Sequence, residues 1–142
     1  MKLFLDANIL FTAAHNENGI SRGLFRLAER GWCSLLTSAY AVDEANRNIA
    51  LKYPHMIAIL GSLCDDLTLV KEPHPSNVKA MVSLPLVDKD TPIMAAAIDC
   101  RADLLVTGDR RDFGHLYGRV IEGVLVATPG DAMEKVLRKK GS

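Results

Sequence analysis

The sequence predicts an α/β fold, a mainly parallel sheet of about five strands with helices covering both faces. Two observations carry this. Short apolar runs and helix-spaced segments alternate along the chain. The runs also lack the polar–apolar alternation of strands wetted on one face, so their sheet is buried on both sides and its parallel neighbours are joined by right-handed crossovers.

Lys2 to Leu5 is the first strand; it stops at Asp6-Ala7-Asn8, where Ile9, Leu10 and Ala13 begin a helical pattern. Ser21 is a good N-cap for a helix through Leu24, Phe25, Leu27 and Ala28 that ends near Gly31. Cys33 to Thr37 is the second strand, and Ser38 caps a helix running to about Lys52. Pro54 ends that helix or starts another through Met56, Ile57, Leu60 and Leu63. Leu67 to Val70 is a third strand. Pro73 and Pro75 bound a loop, a short helix is expected around Val78 to Met81, and Leu84 to Val87 leads into the next segment.

In that segment Asp90 reads as an N-cap, since Thr91 and Pro92 follow it and Ile93, Met94, Ala97 and Ile98 recur at helical spacing. Leu104 to Thr107 is the fourth strand, broken by Gly108-Asp109. Gly123 to Ala127 is the fifth, and Asp131 to Leu137 a closing helix whose Arg138, Lys139 and Lys140 suit a helix C-terminus.

The 142 residues are expected to form one domain spanning 1–142, long enough to bury roughly 70% of the surface of the unfolded chain. With 49% hydrophobic and 24% charged residues, the composition is that of a globular protein and not a disordered one. Three cysteines, Cys33, Cys64 and Cys100, are odd in number and widely spaced, which argues against a disulfide framework or zinc site and for a reducing cytoplasm. Asp6 leaves no room for the apolar core of a signal peptide, and no later run is long enough to span a bilayer. Seventeen Lys+Arg balance seventeen Asp+Glu, so any nucleic-acid binding must come from a local patch.

In a parallel sheet, Asp6 and Asp109 both lie at carboxyl ends of strands, the edge where open α/β sheets bind ligands. Asp90 opens the helix that feeds the fourth strand, so three acids are expected to share one crevice. Each alone could be a cap or turn residue; the joint arrangement is what points to chemistry. Glu44 is the fourth candidate, because it shares a helical face with Tyr40, Ala41, Asn48 and Leu51. Asp43 points elsewhere with Arg47 at ion-pair spacing, although Arg47 is also within reach of Glu44.

These landmarks resemble the PIN domains, small metal-dependent ribonucleases that include many VapC-like toxins of toxin–antitoxin pairs. The residues that carry the resemblance are Leu-Asp-Ala-Asn at 5–8, Glu44, Asp90 opening Pro-Ile-Met-Ala-Ala-Ala, Leu-Val-Thr-Gly-Asp at 105–109 with Asp112-Phe113, and Gly-Val-Leu-Val-Ala-Thr-Pro at 123–129. Between Pro54 and Asp88 the resemblance carries nothing. It implies a three-layer α/β/α domain with the first strand near the sheet centre. It implies Asp6, Glu44, Asp90 and Asp109 as catalytic metal-site acids, and Asn8, Thr107 and Asp112 as supporting groups. A homodimer is also implied, and the broad apolar arc of Met56, Ile57, Ile59, Leu60 and Leu63 agrees with one.

The expected activity is endonucleolytic hydrolysis of RNA with one or two Mg²⁺ or Mn²⁺ ions, which activate water and neutralise phosphoryl charge. An all-oxygen donor set suits such hard cations, and the four histidines are scattered. Arg110 and Arg111 are expected to meet RNA phosphates, or else form a solvated basic pair. An antitoxin protein is a candidate partner. Two alternatives stay open: a PIN-like module that binds RNA or protein without cutting, and a receiver-like module that phosphorylates an aspartate. Receivers usually pair two acids at the first strand and carry a lysine after the last, and neither feature is clear in this chain.

Overall fold

A computed structural model describes residues 1–80 and 86–141. Its sheet is built from β1 (Lys2–Leu5), β2 (Ser34–Ser38), β3 (Thr68–Val70), β4 (Leu104–Val106), β5 (Val120–Ile121) and β6 (Val124–Ala127), in the order β3-β2-β1-β4-β6-β5. All neighbours are parallel except β5 and β6. The helices are α1 (Ala7–His15), α2 (Ile20–Glu29), α3 (Ala39–Lys52), α4 (Ile57–Cys64), α5 (Pro75–Ala80), α6 (Thr91–Asp99), α7 (Arg110–Phe113) and α8 (Pro129–Gly141). They complete the three-layer α/β/α arrangement. Among the described residues no helix is long and apolar enough to cross a membrane.

The chain builds β1, β2 and β3 in one direction across the sheet, then returns to lay β4 on the other side of β1. The strand order therefore reverses between β1 and β4, and a crevice opens beyond their carboxyl ends. Both strands are buried throughout their apolar length: Leu3, Phe4, Leu5, Leu105 and Val106 are all 0% exposed. Each such side chain contributes about 2 kcal/mol through burial, which makes the centre of the sheet a rigid base for whatever projects from its edge.

Three sequence expectations change in detail. Ser21 does not cap α2; Gly19 does, in an extended conformation, and Ser21 is buried one step inside the helix. Arg22 from the same turn donates to the carbonyls of Ala13 and Ala14, closing the end of α1. The short helix near Val78 begins earlier, at Pro75, because proline is pre-set for a first helical turn. Met81 and Leu84, also part of the expectation there, lie outside the described residues. Finally, β5 adds a two-residue antiparallel strand, joined to β6 by a tight turn with positive φ at both Glu122 (49°) and Gly123 (88°). Two-residue hairpins favour that geometry, but glutamate is a rare residue at its first position, so the turn carried no sequence signal.

Candidate metal centre

The end of β1 and the end of β4 are tied together by side chains. Asp6 is the N-cap of α1: its Oδ1 accepts from the Ala7 N–H at 2.7 Å. Its Oδ2 accepts from Asn8 Nδ2 at 3.0 Å and from Thr107 Oγ1 at 2.9 Å. Asn8 Nδ2 also lies 3.2 Å from Thr107 Oγ1, and Asn8 Oδ1 accepts from the Gly108 N–H at 2.7 Å. Thr107 Oγ1 in turn accepts from the Asp109 N–H at 3.2 Å, while Tyr117 Oη holds the Thr107 carbonyl at 2.8 Å. The buried Asp6 carboxylate is thus fixed by the two residues, Asn8 and Thr107, that the resemblance implied as supports.

Asp90 stands at the N-cap position of α6 but does not cap. Its backbone is helical (φ −96°, ψ −15°) rather than extended, which turns the carboxylate away from the helix N–H groups. The carboxylate is 5% exposed, and its Oδ2 is the one buried side-chain polar atom without a hydrogen-bond partner among the described residues. Such an atom is costly unless something else satisfies it. Asp109 does cap: its Oδ1 accepts from the Asp112 N–H at 3.0 Å to start α7. One carboxylate oxygen from each of Asp90, Asp109 and Asp112 lies within 4.8 Å of the others.

Glu44 projects from α3 into the same crevice, where a cleft of about 120 Å³ is lined by Asp6, Asn8, Glu44, Asn48, Lys89, Asp90 and Asp109. Its exposed neighbour Asp43 is not among these residues, and among the described residues neither acid forms an ion pair with Arg47. The cleft continues into a shallower groove of about 400 Å³ lined by Val87, Lys89, Asp109, Arg111 and Asp112. Of the two arginines proposed to meet RNA, Arg111 lines this groove; Arg110 does not, and its charge acts on the Tyr117 phenol. Another hollow, of about 380 Å³ and lined by residues including His74 and Cys100, shares no lining residue with the acidic cleft.

Crowding of acids at a buried edge shows in their proton affinities. Burial raises the Asp6 pKa from 3.8 to about 6; its hydrogen bonds from Thr107 and Ala7 oppose the rise, and the charge of Glu44 adds to it. Asp90 rises to about 7, first through burial, then through the charge of Asp6 and the proximity of Asp112, with Lys89 opposing. The Lys89 ammonium is held protonated chiefly by Asp90, and its Nζ lies 3.7 Å from Asp112 Oδ2. The Tyr40 phenol is also raised, by burial and then by Glu44 and Asp90, and its Oη donates to the Lys89 carbonyl at 2.7 Å. Sequence reading gave Lys89 no role, because a lysine beside an aspartate is an ordinary surface pair; only the fold sets it between two hollows.

The donor set suits a hard divalent cation: it is oxygen only, converging, partly desolvated, and it includes an acceptor that no protein group satisfies. Without a cation, Asp6 and Asp90 hold their protons to a higher pH than free carboxyls do.

No family model and no curated protein matches the chain. Solved structures do. VapBC2 from Rickettsia felis, bound to a DNA fragment from its promoter, superposes with a TM-score of 0.64 at 17% identity, covering 90% of this chain and 98% of that one. PAE2754 from Pyrobaculum aerophilum gives 0.62 at 18% identity over 97% and 99% of the two chains. VapBC-1 from nontypeable Haemophilus influenzae gives 0.59 at 18% identity over 92% and 99%. At these identities the likeness is one of fold, and the chain has the VapC-like PIN-domain fold that its sequence landmarks resemble.

Proposed function

We propose that this chain is a metal-dependent endoribonuclease, the toxin of a toxin–antitoxin pair, acting at the β1–β4 crevice. The observation that carries the reading is the buried, unpartnered Asp90 Oδ2, set in a cleft with Asp6, Glu44 and Asp109. Asp6, Glu44, Asp90 and Asp109 would hold one or two Mg²⁺ or Mn²⁺ ions, and Asp112 stands close enough to Asp90 and Asp109 to contribute. When bound, the cation supplies activation of water near neutral pH and positive charge against the phosphoryl oxygens.

The chain's own groups do the rest. Asn8 and Thr107 fix the orientation of Asp6, so that its lone pairs are aimed before any ligand arrives. Asp109 holds α7 in place, which sets Arg111 on the wall of the groove for contact with an RNA phosphate. Asp6 and Asp90 are each at most 5% exposed, so little bulk water competes with a cation for their oxygens.

The receiver-like alternative loses ground on this geometry. Receivers usually pair two acids at the first strand, whereas Asp6 stands between Leu5 and Ala7 with no second acid beside it. We further propose a single domain, a cytoplasmic site of action, where RNA is met, and a homodimer through α4. On that helix Leu60 is buried, while Ile57 and Ile59 remain 45% and 38% exposed. The direct test of function is incubation of single-stranded RNA of mixed sequence with the protein in Mg²⁺, in Mn²⁺ and in EDTA. Cleavage in the metal arms alone supports the reading; equal cleavage in EDTA, or none anywhere, counts against it.

A further inference from the structure

Lys89 and Asp109 are the two residues that line both the acidic cleft and the groove leading from it. Among the described residues, the only other cation on either lining is Arg111. A polyanion lying along the groove therefore meets the carboxylates of Asp6, Glu44, Asp90, Asp109 and Asp112, and their charge exceeds what a single divalent cation brings. The groove itself must supply a protein cation to hold a phosphate there.

Lys89 is built to do so. Its backbone is anchored, because Tyr40 Oη donates to its carbonyl at 2.7 Å and the Asp90 N–H closes a turn onto the Val87 carbonyl at 2.9 Å. Its side chain is 59% exposed, and among the described residues its ion pair is a long 3.7 Å contact to Asp112. A contact of that length between an exposed ammonium and a carboxylate is weak and exchangeable.

We propose that Lys89 is a phosphate-positioning residue: its ammonium leaves Asp112 for a backbone phosphate of an RNA strand lying in the groove, with Arg111 as the second contact along the same wall. The assignment rests on the ribonuclease reading of the cleft for its ligand class, and it adds to that reading the residue that carries the strand past the acids. Leaving Asp112 also frees that carboxylate to turn toward Asp90 and Asp109.

The test is binding, not turnover. A fluorescent 2′-O-methyl RNA of mixed sequence is titrated with the full chain in EDTA at a series of salt concentrations, using wild type, Lys89→Met and Lys89→Arg. Lys89→Met is expected to weaken binding several-fold at low salt and to lower the log–log salt slope by about one phosphate contact, roughly 0.7 for a single strand. Lys89→Arg is expected to restore the slope. If Lys89 only balances the acids, Lys89→Met lowers the melting temperature and leaves the slope at its wild-type value, which overturns the proposal; so does a wild type that does not bind. If the slope falls as expected while wild type never cuts RNA in Mg²⁺ or Mn²⁺, the ribonuclease reading fails and the assignment of Lys89 stands. If wild type cuts and the slopes are equal, the reverse holds.

Discussion

Thr107 Oγ1 donates to Asp6 Oδ2 at 2.9 Å across 101 residues of sequence, joining the carboxyl ends of the two strands between which the sheet order reverses. The hydroxyl is fully buried and also accepts from the Asp109 N–H, so one side chain links two of the acids. Thr107→Val keeps the shape and removes the hydroxyl. The change is expected to destabilise the protein by about 1–3 kcal/mol, since the Asp109 N–H loses its acceptor. Mn²⁺ affinity is expected to fall roughly 10–100-fold, as it does when a group orienting a ligand is lost. Urea denaturation and calorimetric titration with Mn²⁺ check the two effects.

The raised carboxylates give stability a pH dependence of definite sign. Asp6 binds its proton with a pKa of about 6 in the fold against 3.8 unfolded, and Asp90 with about 7. Between these limits the folded chain holds more protons than the unfolded one, so stability is fullest below pH 3.8 at these sites and falls as pH rises through about 6 to 7. For Asp6 alone the loss is on the order of 3 kcal/mol. In EDTA the melting temperature is expected to be higher near pH 5 than near pH 8, and excess Mn²⁺ to recover the difference at the higher pH. A melting temperature that rises over that interval in EDTA would contradict the account.

Asp109 has two jobs that substitutions can separate. Asparagine caps helices about as well as aspartate, so Asp109→Asn is expected to leave metal-free stability within about 0.5 kcal/mol of wild type. Asp109→Ala loses the bond to the Asp112 N–H and is expected to cost about 1 kcal/mol. Both are expected to cut cleavage by orders of magnitude, because each removes a charged oxygen from the site. Stability curves and cleavage rates measured side by side show whether the cap and the site are separable in this way.

Much of this was legible in the sequence because strand ends are marked locally. Asp6-Ala7-Asn8 and Gly108-Asp109 each break an apolar run, and a parallel sheet brings such breaks to one edge whatever the intervening chain does. The face of α3 chosen for Glu44 over Asp43 followed from helical periodicity. Other features depend on conformation that residue type does not signal. Asp90 looked like a capping residue, and only its helical backbone angles show that its carboxylate is withheld from the helix. The approach of Asp112 to Asp90 and Asp109 needs the short turn of α7, and the position of Lys89 needs the adjoining groove. The hairpin at Glu122 stayed hidden because its first turn residue pays a conformational cost that the strand pairing offsets.

If the unpartnered oxygen of Asp90 belongs to a catalytic metal site, the rate of RNA cleavage depends on its charge, and Asp90→Asn removes that charge. The variant keeps the volume of the side chain and removes the charge, and relief from the Asp6 repulsion is expected to make its metal-free fold at least as stable as wild type near pH 8. On any RNA that wild type cuts in Mn²⁺, Asp90→Asn is expected to be slower by at least about 100-fold while folding normally. An Asp90→Asn protein that cuts the same RNA at the wild-type rate would contradict the account.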